Sequence, residues 1–197
     1  MNLNRLLAVL LTCVVGLLGL AAGAFAQAQF PLDGVRLVLP GPVVFQPGSD
    51  RLDARAGPAL GHMTAWLKAH PEYTLVRIEA HVAPKVVKKA KKAKKKSGKK
   101  NQDRPPQVAV DEVDPQMEAL SRSRAMAVSR TLVARGIPCQ RLIVVSFGAR
   151  QPIQSRAPAE PFAKSERIDL VAVAKNGATL RPGAVDGGGA VVADACQ

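Results

Sequence analysis

Residues 120–153 read LSRSRAMAVSRTLVARGIPCQRLIVVSFGARQPI and are the most informative part of the chain for its architecture. Apolar residues recur at helical spacing just before this stretch and through its first half. They are Met117, Leu120, Ala125, Val128 and Leu132. Gly136 and Pro138 then mark the end of a helix, and residues 142–147 are nearly continuously apolar, as in a strand at the middle of a covered sheet. The stretch therefore predicts a helix, a turn and a buried strand.

Similar patterns flank this stretch on both sides. One helical face is apolar from residue 52 to about residue 70, where Asp53 is a suitable N-cap and Pro71 prevents continuation. The members of this face are Leu52, Ala56, Leu60, Met63 and Leu67. Alternating or β-branched residues predict short strands at 35–39, 43–45, 74–81 and 167–173. The order strand, helix, strand, helix, strand, strand predicts an α/β (α+β) two-layer sandwich, with helices packed on a mixed sheet.

The positive charge of the chain is concentrated in one segment. The 197 residues carry 28 Lys and Arg against 15 Asp and Glu, which gives a net charge of +13. Residues 85–100 contain ten of the thirteen lysines and no acid, so the rest of the chain has a net charge of only +3.

The length predicts one domain. Collagen-like, disulfide-dense and polytopic membrane classes are disfavoured, because glycine has no three-residue period, cysteine numbers three and one long apolar run is present.

That apolar run lies at the N-terminus and has the pattern of a secretory signal peptide. Arg5 precedes 21 uncharged residues, 6–26, which end in the small-x-small sequence Ala24-Phe25-Ala26. We predict a signal peptide at 1–26, a linker at 27–34, and an exported protein in the periplasm or at the outer membrane. The alternative is an uncleaved segment that anchors the protein in the inner membrane, since 21 apolar residues can span a bilayer.

Export leaves Cys139 and Cys196 in a compartment that permits disulfides. A bridge between them would tie residues 175–197, which are rich in Gly, Ala and Val and which we predict to be a flexible tail, back to the domain. Two free thiols are equally compatible with the sequence, because spacing alone does not show whether the geometry allows a bridge. Neither cysteine has a His or acidic cluster nearby, so we predict no metal site and no cofactor.

Three blocks of sequence carry a family resemblance. The first is residues 35–52, which end in Val44-Phe45-Gln46-Pro47-Gly48-Ser49-Asp50-Arg51-Leu52. The second is the Leu120-Ser121-x-x-Arg124-Ala125 pattern with the residues that follow it to Ile153, and the third is Arg167-Ile168-Asp169-Leu170. Together they resemble the OmpA-like C-terminal domain, the peptidoglycan-associating module of outer-membrane proteins, peptidoglycan-associated lipoproteins and flagellar stator B subunits. The resemblance places this domain at 35–174.

The resemblance implies recognition of a diaminopimelate residue in the peptidoglycan stem peptide, and no catalysis. In the family, an Asp after a Gly-His-Thr sequence and the Arg of Leu-Ser-x-x-Arg bind the ammonium and carboxylate groups of that residue, as charge-assisted hydrogen bonds allow. Arg124 stands at the Arg position, but Ala80-His81-Val82-Ala83 replaces Gly-His-Thr-Asp, so the acid is lost. The candidate ligand residues are Arg124, Arg167 and His81, and we expect weak or modified binding. The sequence contains no nucleophile-elbow, zinc-protease or phosphate-loop motif that would predict an enzyme.

The lysine-rich segment follows the position of the lost acid. Ala83 and Leu120 are 37 positions apart, much farther than in the family, so we predict a disordered insertion at 84–115. Nine of its lysines are candidate polyanion ligands: Lys88, Lys89, Lys91, Lys92, Lys94, Lys95, Lys96, Lys99 and Lys100. A solvated loop without a partner is an equal alternative. The sequence also leaves open whether Asp111, Glu112 or Asp114 replaces the missing acid.

Three functions follow from these features. The first is a non-catalytic cell-envelope protein of the OmpA family that binds peptidoglycan through Arg124. The second is an envelope interaction protein that has lost wall binding and uses the lysine segment to bind anionic lipid or lipopolysaccharide. The third and weakest is a secreted nucleic-acid binder, which is disfavoured because an exported protein rarely meets nucleic acid and stacking aromatic residues are missing.

Overall fold

The computed structural model describes residues 32–84, 114–153, 162–192 and 196 of the chain. The strands in these ranges are β1 (Leu32–Asp33), β2 (Arg36–Leu37), β3 (Leu75–His81), β4 (Leu142–Gly148), β5 (Arg167–Lys175), β6 (Ala178–Thr179) and β7 (Ala190–Val191). The helices are α1 (Gly57–Ala69) and α2 (Pro115–Ala134). The predicted signal peptide and the lysines of the predicted insertion lie outside the described residues. Neither of these two helices is both long and apolar enough to span a membrane.

The described strands form one mixed sheet in the order β1-β2-β5-β3-β4-β7, with β6 paired beside β5. β3 and β4 run parallel, which requires a long crossover connection such as the one that contains α2. β5 pairs antiparallel with the other side of β3. α2 packs on β3 and β4, and α1 packs beside α2. The prediction of an α/β architecture with helices packed on a mixed sheet is confirmed.

The segment before α1 forms a helix lead-in at the predicted N-cap. Asp53 accepts a hydrogen bond from the backbone N–H of Arg55 (2.9 Å) and caps a 3-10 turn at Ala54–Ala56. The side-chain and backbone hydrogen bonds from Arg55 favour the charged carboxylate and lower the pKa of Asp53 to about 2. α1 then runs to Ala69, and four of the five predicted stripe residues are buried: Ala56, Leu60, Met63 and Leu67.

The predicted strand at 43–45 is not part of the sheet. Its one ladder contact is an isolated bridge between Phe45 and Leu52. Prolines at 40, 42 and 47 remove backbone donors around the segment, so a continuous ladder cannot form. The predicted strand at 35–39 is shorter than expected for the same reason, and pairs over Arg36–Leu37. Phe45 and Ser49 instead contact Arg124 of α2.

Arg141 fastens the C-terminal end of α1 to the beginning of β4. Its guanidinium donates to the backbone carbonyl groups of Leu67 (2.9 Å), His70 (2.9 Å) and Tyr73 (3.0 and 3.2 Å). The last carbonyl groups of a helix have no partner within the helix, so the bond to Leu67 satisfies an acceptor that would otherwise need water, whereas His70 also accepts from the N–H of Tyr73 (3.3 Å). Burial lowers the pKa of Arg141. Its four hydrogen bonds all lie inside the domain.

Residues 176–192, where the sequence predicted a flexible tail, add β6 and β7 to the sheet and, between these strands, cross the face that is turned away from α2. The guanidinium of Arg77 in β3 donates to the carbonyl of Val185 (2.6 Å), and β7 pairs with β4. Gly189 lies so close to the side chain of Val145 that a β-carbon at this glycine would overlap it. The structure corrects the tail prediction for these residues, because the small side chains that favoured disorder also allow close packing on a sheet.

The structure contains the bridge between Cys139 and Cys196, with α-carbons 5.0 Å apart. Cys139 begins the 3-10 turn Cys139–Arg141, which leads directly into β4. The bridge therefore ties the C-terminal segment to the same short turn that carries Arg141.

Candidate functional site

Ser121 fixes α2 against the C-terminal ends of β3 and β4. Its hydroxyl donates to the carbonyl of Ala80 (2.7 Å) and accepts from the backbone N–H of Gly148 (3.2 Å). Gly148 has a φ of 51°, a conformation that favours glycine, and a β-carbon there would lie 2.9 Å from Oε2 of Glu118 in α2. Because residues i and i+3 share one face of a helix, Ser121 places Arg124 at this end of the sheet.

The guanidinium of Arg124 is buried and has a defined orientation. Its Nε donates to the carbonyl of Ser49 (3.0 Å), and its Cζ lies 4.9 Å from the ring centroid of Phe45. A cation over an aromatic face gains electrostatic attraction in addition to packing. Nη1 lies 3.6 Å from Oε2 of Glu166. Phe45 and Ser49, which lie in the segment between β2 and α1, thus hold one side of the guanidinium, and the carboxylate of Glu166 lies on the other side.

Glu166 and Arg124 differ sharply in exposure. The side chain of Arg124 is 4% exposed and that of Glu166 is 54% exposed. Glu166 directly precedes β5, which places it at the same end of the sheet as the C-terminal end of β3. Ala83, at the position of the family's acid, is half-buried and follows Val82, whose N–H donates to the carbonyl of Gly148 (2.9 Å). The site therefore combines a fixed, buried cation with an anion that reaches solvent.

His81 lies on the face of β3 that is turned away from α2. Its ring stacks on Phe147, with centroids 4.7 Å apart and planes at 13°. The neighbour of Phe147 in sequence, Ser146, donates to the carbonyl of Glu118 in α2 (3.3 Å), and successive side chains of a strand point to opposite faces. The structure does not bring His81 to Arg124, and its role as a ligand residue stays a prediction.

Arg167 is also engaged within the chain. Its Nε donates to Oδ2 of Asp169 (2.9 Å), and its Nη1 donates to the carbonyl of Gln151 (3.2 Å). β5 pairs it with His81, so both residues belong to the same face of the sheet. The proposed role of Arg167 in ligand binding also stays a prediction.

The electrostatics of the sheet face turned away from α2 favour a neutral His81 and an ionised Glu79. Burial lowers the pKa of His81, and the positive charge of Arg167 lowers it further. The carboxylates of Glu79 and Asp169 raise the pKa, but the net effect is a lowered pKa. Burial alone would raise the pKa of Glu79, but the contacts with His81 and Arg77 outweigh it, and the pKa is lowered. The two ring nitrogens of His81 are buried without a hydrogen-bond partner among the described residues.

Glu79, His81 and Asp169 also present potential metal-ligand atoms within 4.8 Å of one another. However, Arg77 Nε donates to Glu79 Oε1 (2.6 Å), and Arg167 donates to Asp169 as described above. Each carboxylate is thus already neutralised by a hydrogen-bonded guanidinium, and a cation would have to displace it or lie beside it. We interpret this cluster as an internal charge network that joins β3 to β5.

The remaining predicted site residues divide into two groups. The nine candidate lysines, Asp111 and Glu112 lie outside the described residues. Asp114 is described and caps α2, where it accepts from the backbone N–H of Gln116 (2.9 Å). Ten residues of helix separate it from Arg124, a distance of about 15 Å along the axis. Asp114 is therefore not the acid that lies at Arg124.

The structure adds Phe45, Ser49 and Glu166 to the surroundings of Arg124. Phe45 had a sequence signal, since it belongs to the first block of the family resemblance. Glu166 had a weaker one, because it directly precedes the third block of the resemblance, which begins at Arg167. Ser49 contributes its backbone carbonyl, which no side-chain pattern can reveal.

Comparisons with known proteins matched one family model and solved structures of low sequence identity. The OmpA family model matches residues 44–166, more than half of the chain. Among solved structures, the periplasmic domain of Helicobacter pylori MotB (residues 78–256) is 16% identical, with a TM-score of 0.47 and coverage of 72% of this chain and 77% of that one. An outer membrane protein from Borrelia burgdorferi B31 is 14% identical, with a TM-score of 0.45 and coverage of 73% and 93%. No significant match was found among curated proteins.

The family match begins at Val44, next to the phenylalanine that packs on Arg124, and ends at Glu166, the acid that contacts it. The chain belongs to the OmpA family.

Proposed function

We propose that the protein is a non-catalytic protein of the cell envelope that binds peptidoglycan through Arg124, which receives a carboxylate of a diaminopimelate residue in the stem peptide. The supporting observation is the fixed orientation of the Arg124 guanidinium between Ser49 and Phe45. An exported location, in the periplasm or at the outer membrane, is part of the proposal.

The contacts of Arg124 suit the recognition of a carboxylate. Its Nε is used by Ser49, so the edge formed by Nη1 and Nη2 is the part of the fork that remains for an external partner. A planar guanidinium can give two parallel hydrogen bonds to one carboxylate, which adds geometric specificity to the charge attraction. Because the group is already held in place, little side-chain entropy is lost when a ligand binds.

The absence of an acid at residue 83 predicts weak binding. An alanine cannot offset the charge of a ligand ammonium, and the loss of one partner of a desolvated charge pair typically costs about 2–5 kcal/mol. We therefore expect the protein to bind intact cell wall, where many stem peptides are present, more readily than a single soluble peptide.

The test is retention of the full chain on purified sacculi that contain diaminopimelate, in a mild detergent because of the apolar residues 1–26. Arg124→Ala should reduce retention at least about tenfold, since it removes the buried partner of the ligand carboxylate. Arg124→Lys should recover a part of it, because it restores the charge without the planar fork.

Arg130→Ala is the matched control, because Arg130 is an exposed arginine of the same helix. It should retain the binding of the unmodified protein. Equal retention of Arg124→Ala and Arg130→Ala, with both variants folded by circular dichroism, would reject Arg124 as the binding residue.

A further inference from the structure

We propose that Glu166 supplies the acid that residue 83 lacks, so that Arg124 and Glu166 together bind the zwitterionic head group of a free α-amino acid. This inference rests on the proposed function and concerns the same site. It commits to one chemical class, a carbon that carries both an ammonium and a carboxylate, as the free end of a diaminopimelate side chain does.

The first argument is the position of Glu166. Its Oε2 lies 3.6 Å from Nη1 of Arg124, on the part of the guanidinium that Ser49 leaves available. Among the described residues, Arg124 is the ion-pair partner of Glu166, and the side chain is more than half exposed. An external cation can therefore reach this carboxylate from solvent.

The second argument is the difference in freedom between the two groups. Ser49 and Phe45 hold Arg124, whereas Glu166 has a flexible side chain that ends in solvent. A ligand carboxylate can take the place of the Glu166 carboxylate on Arg124 while Glu166 swings aside by a single rotamer change. The Glu166 carboxylate then remains beside the ligand, where it can contact the ammonium group that neighbours the ligand carboxylate.

The third argument is charge balance. A simple carboxylate would break the Arg124–Glu166 pair and leave Glu166 next to a second anion, which like-charge repulsion disfavours. A zwitterion replaces one ion pair with two, because its carboxylate contacts Arg124 and its ammonium contacts Glu166. The pair therefore selects against anions that carry no cation of their own.

This arrangement predicts that the protein prefers a peptide with a free diaminopimelate amine to the same peptide with that amine blocked. In a stem tripeptide that ends in diaminopimelate, the side-chain amine is positively charged when free and neutral when acetylated. Acetylation leaves the adjacent carboxylate intact, so it removes only the group that Glu166 is proposed to contact.

The experiment measures the affinity of the full chain for these two tripeptides by calorimetry or by competition with sacculi. The unmodified protein should bind the free-amine peptide at least about fivefold more tightly than the acetylated one. Glu166→Gln should weaken binding of the free-amine peptide and reduce the preference to near unity. Ala83→Asp in the Glu166→Gln background should restore the preference, since it returns an acid to the family position.

Asp33→Asn is the matched control, because Asp33 is an exposed acid of β1 and its loss changes the net charge equally. It should keep the preference of the unmodified protein. The assignment would be overturned if Glu166→Gln kept the preference for the free-amine peptide. It would also be overturned if Glu166→Gln bound the free-amine peptide more tightly, because Glu166 would then compete with the ligand for Arg124.

The two proposals fail in different ways. If Glu166→Gln keeps the preference while Arg124→Ala loses binding, peptidoglycan recognition stands and Glu166 is rejected. If neither peptide binds and Arg124→Ala is retained on sacculi like the unmodified protein, the proposed function fails and this inference fails with it.

Discussion

Two arginines at opposite ends of the sheet differ in what their guanidinium groups contact. Arg141, at the beginning of β4, gives four hydrogen bonds to three backbone carbonyl groups at the end of α1. Arg124, beside the C-terminal ends of β3 and β4, gives one hydrogen bond to a backbone carbonyl and lies 3.6 Å from an exposed acid. Both belong to the same motif-bearing stretch of sequence, 17 positions apart.

The difference distinguishes a structural arginine from the arginine that we propose to bind a ligand. Four of the five N–H donors of Arg141 meet backbone carbonyls, so little of this guanidinium is left for a ligand, and its removal takes a donor from each of those carbonyls. The guanidinium of Arg124 meets one carbonyl, one aromatic ring and one solvent-exposed acid, and the edge that faces this acid is the part that we propose for an external group. The end of the sheet near Arg141 should therefore contribute to stability, and the end near Arg124 to recognition.

The largest expected effect comes from the disulfide, which ties the C-terminal segment to the turn that carries Arg141. Cys196→Ser should lower the free energy of unfolding by about 3–4 kcal/mol, because the bridge closes a loop between residues 57 positions apart and so restricts the unfolded chain. Urea denaturation under non-reducing conditions measures this change. Cys139→Ser should give the same loss, and the double variant no further loss. An unchanged midpoint in Cys196→Ser would show that the C-terminal segment does not stabilise this end of the domain.

The next effect tests the structural role of Arg141 directly. Arg141→Met should lower the free energy of unfolding by about 2–3 kcal/mol, since methionine retains much of the apolar stem but leaves the carbonyls of Leu67 and Tyr73 without their guanidinium donor and takes one of two donors from His70. Arg130→Met, at an exposed position of α2, should change it by less than about 0.5 kcal/mol. Retention on sacculi, measured at a temperature where the variant is folded, should be unaffected.

The sequence predicted the elements whose pattern is local. The helical stripe that includes Leu60 and Met63 is buried as expected, and the continuous apolar run at 142–147 forms β4. Periodicity succeeds there because the same spacing that fixes the element also fixes its buried face. The position of Arg124 came from the family resemblance.

Features that depend on long-range packing could not be predicted in the same way. Residues 176–192 have a composition typical of flexible chain, and their order comes from pairing with β4 and β5 and from contacts such as Gly189 on Val145. Glu166 meets Arg124 because β5 pairs with β3, although the two residues are 42 positions apart in sequence. The bridge between Cys139 and Cys196 depends on the same folding back of the chain, so spacing alone left it open.

The smallest expected effect is that of replacing Arg124, and it tests the difference between Arg124 and Arg141 most directly. Arg124→Met should lower the free energy of unfolding by only about 1 kcal/mol, the value of one hydrogen bond to Ser49 and a contact with Phe45 that methionine largely replaces. Glu166 loses its partner in this variant, but at 54% exposure it is solvated and costs little. Urea denaturation beside Arg141→Met gives the comparison in matched variants. If Arg124→Met costs as much as Arg141→Met, Arg124 is a second structural arginine; a small cost together with lost retention on sacculi identifies its free edge as the part of this domain that is reserved for a ligand.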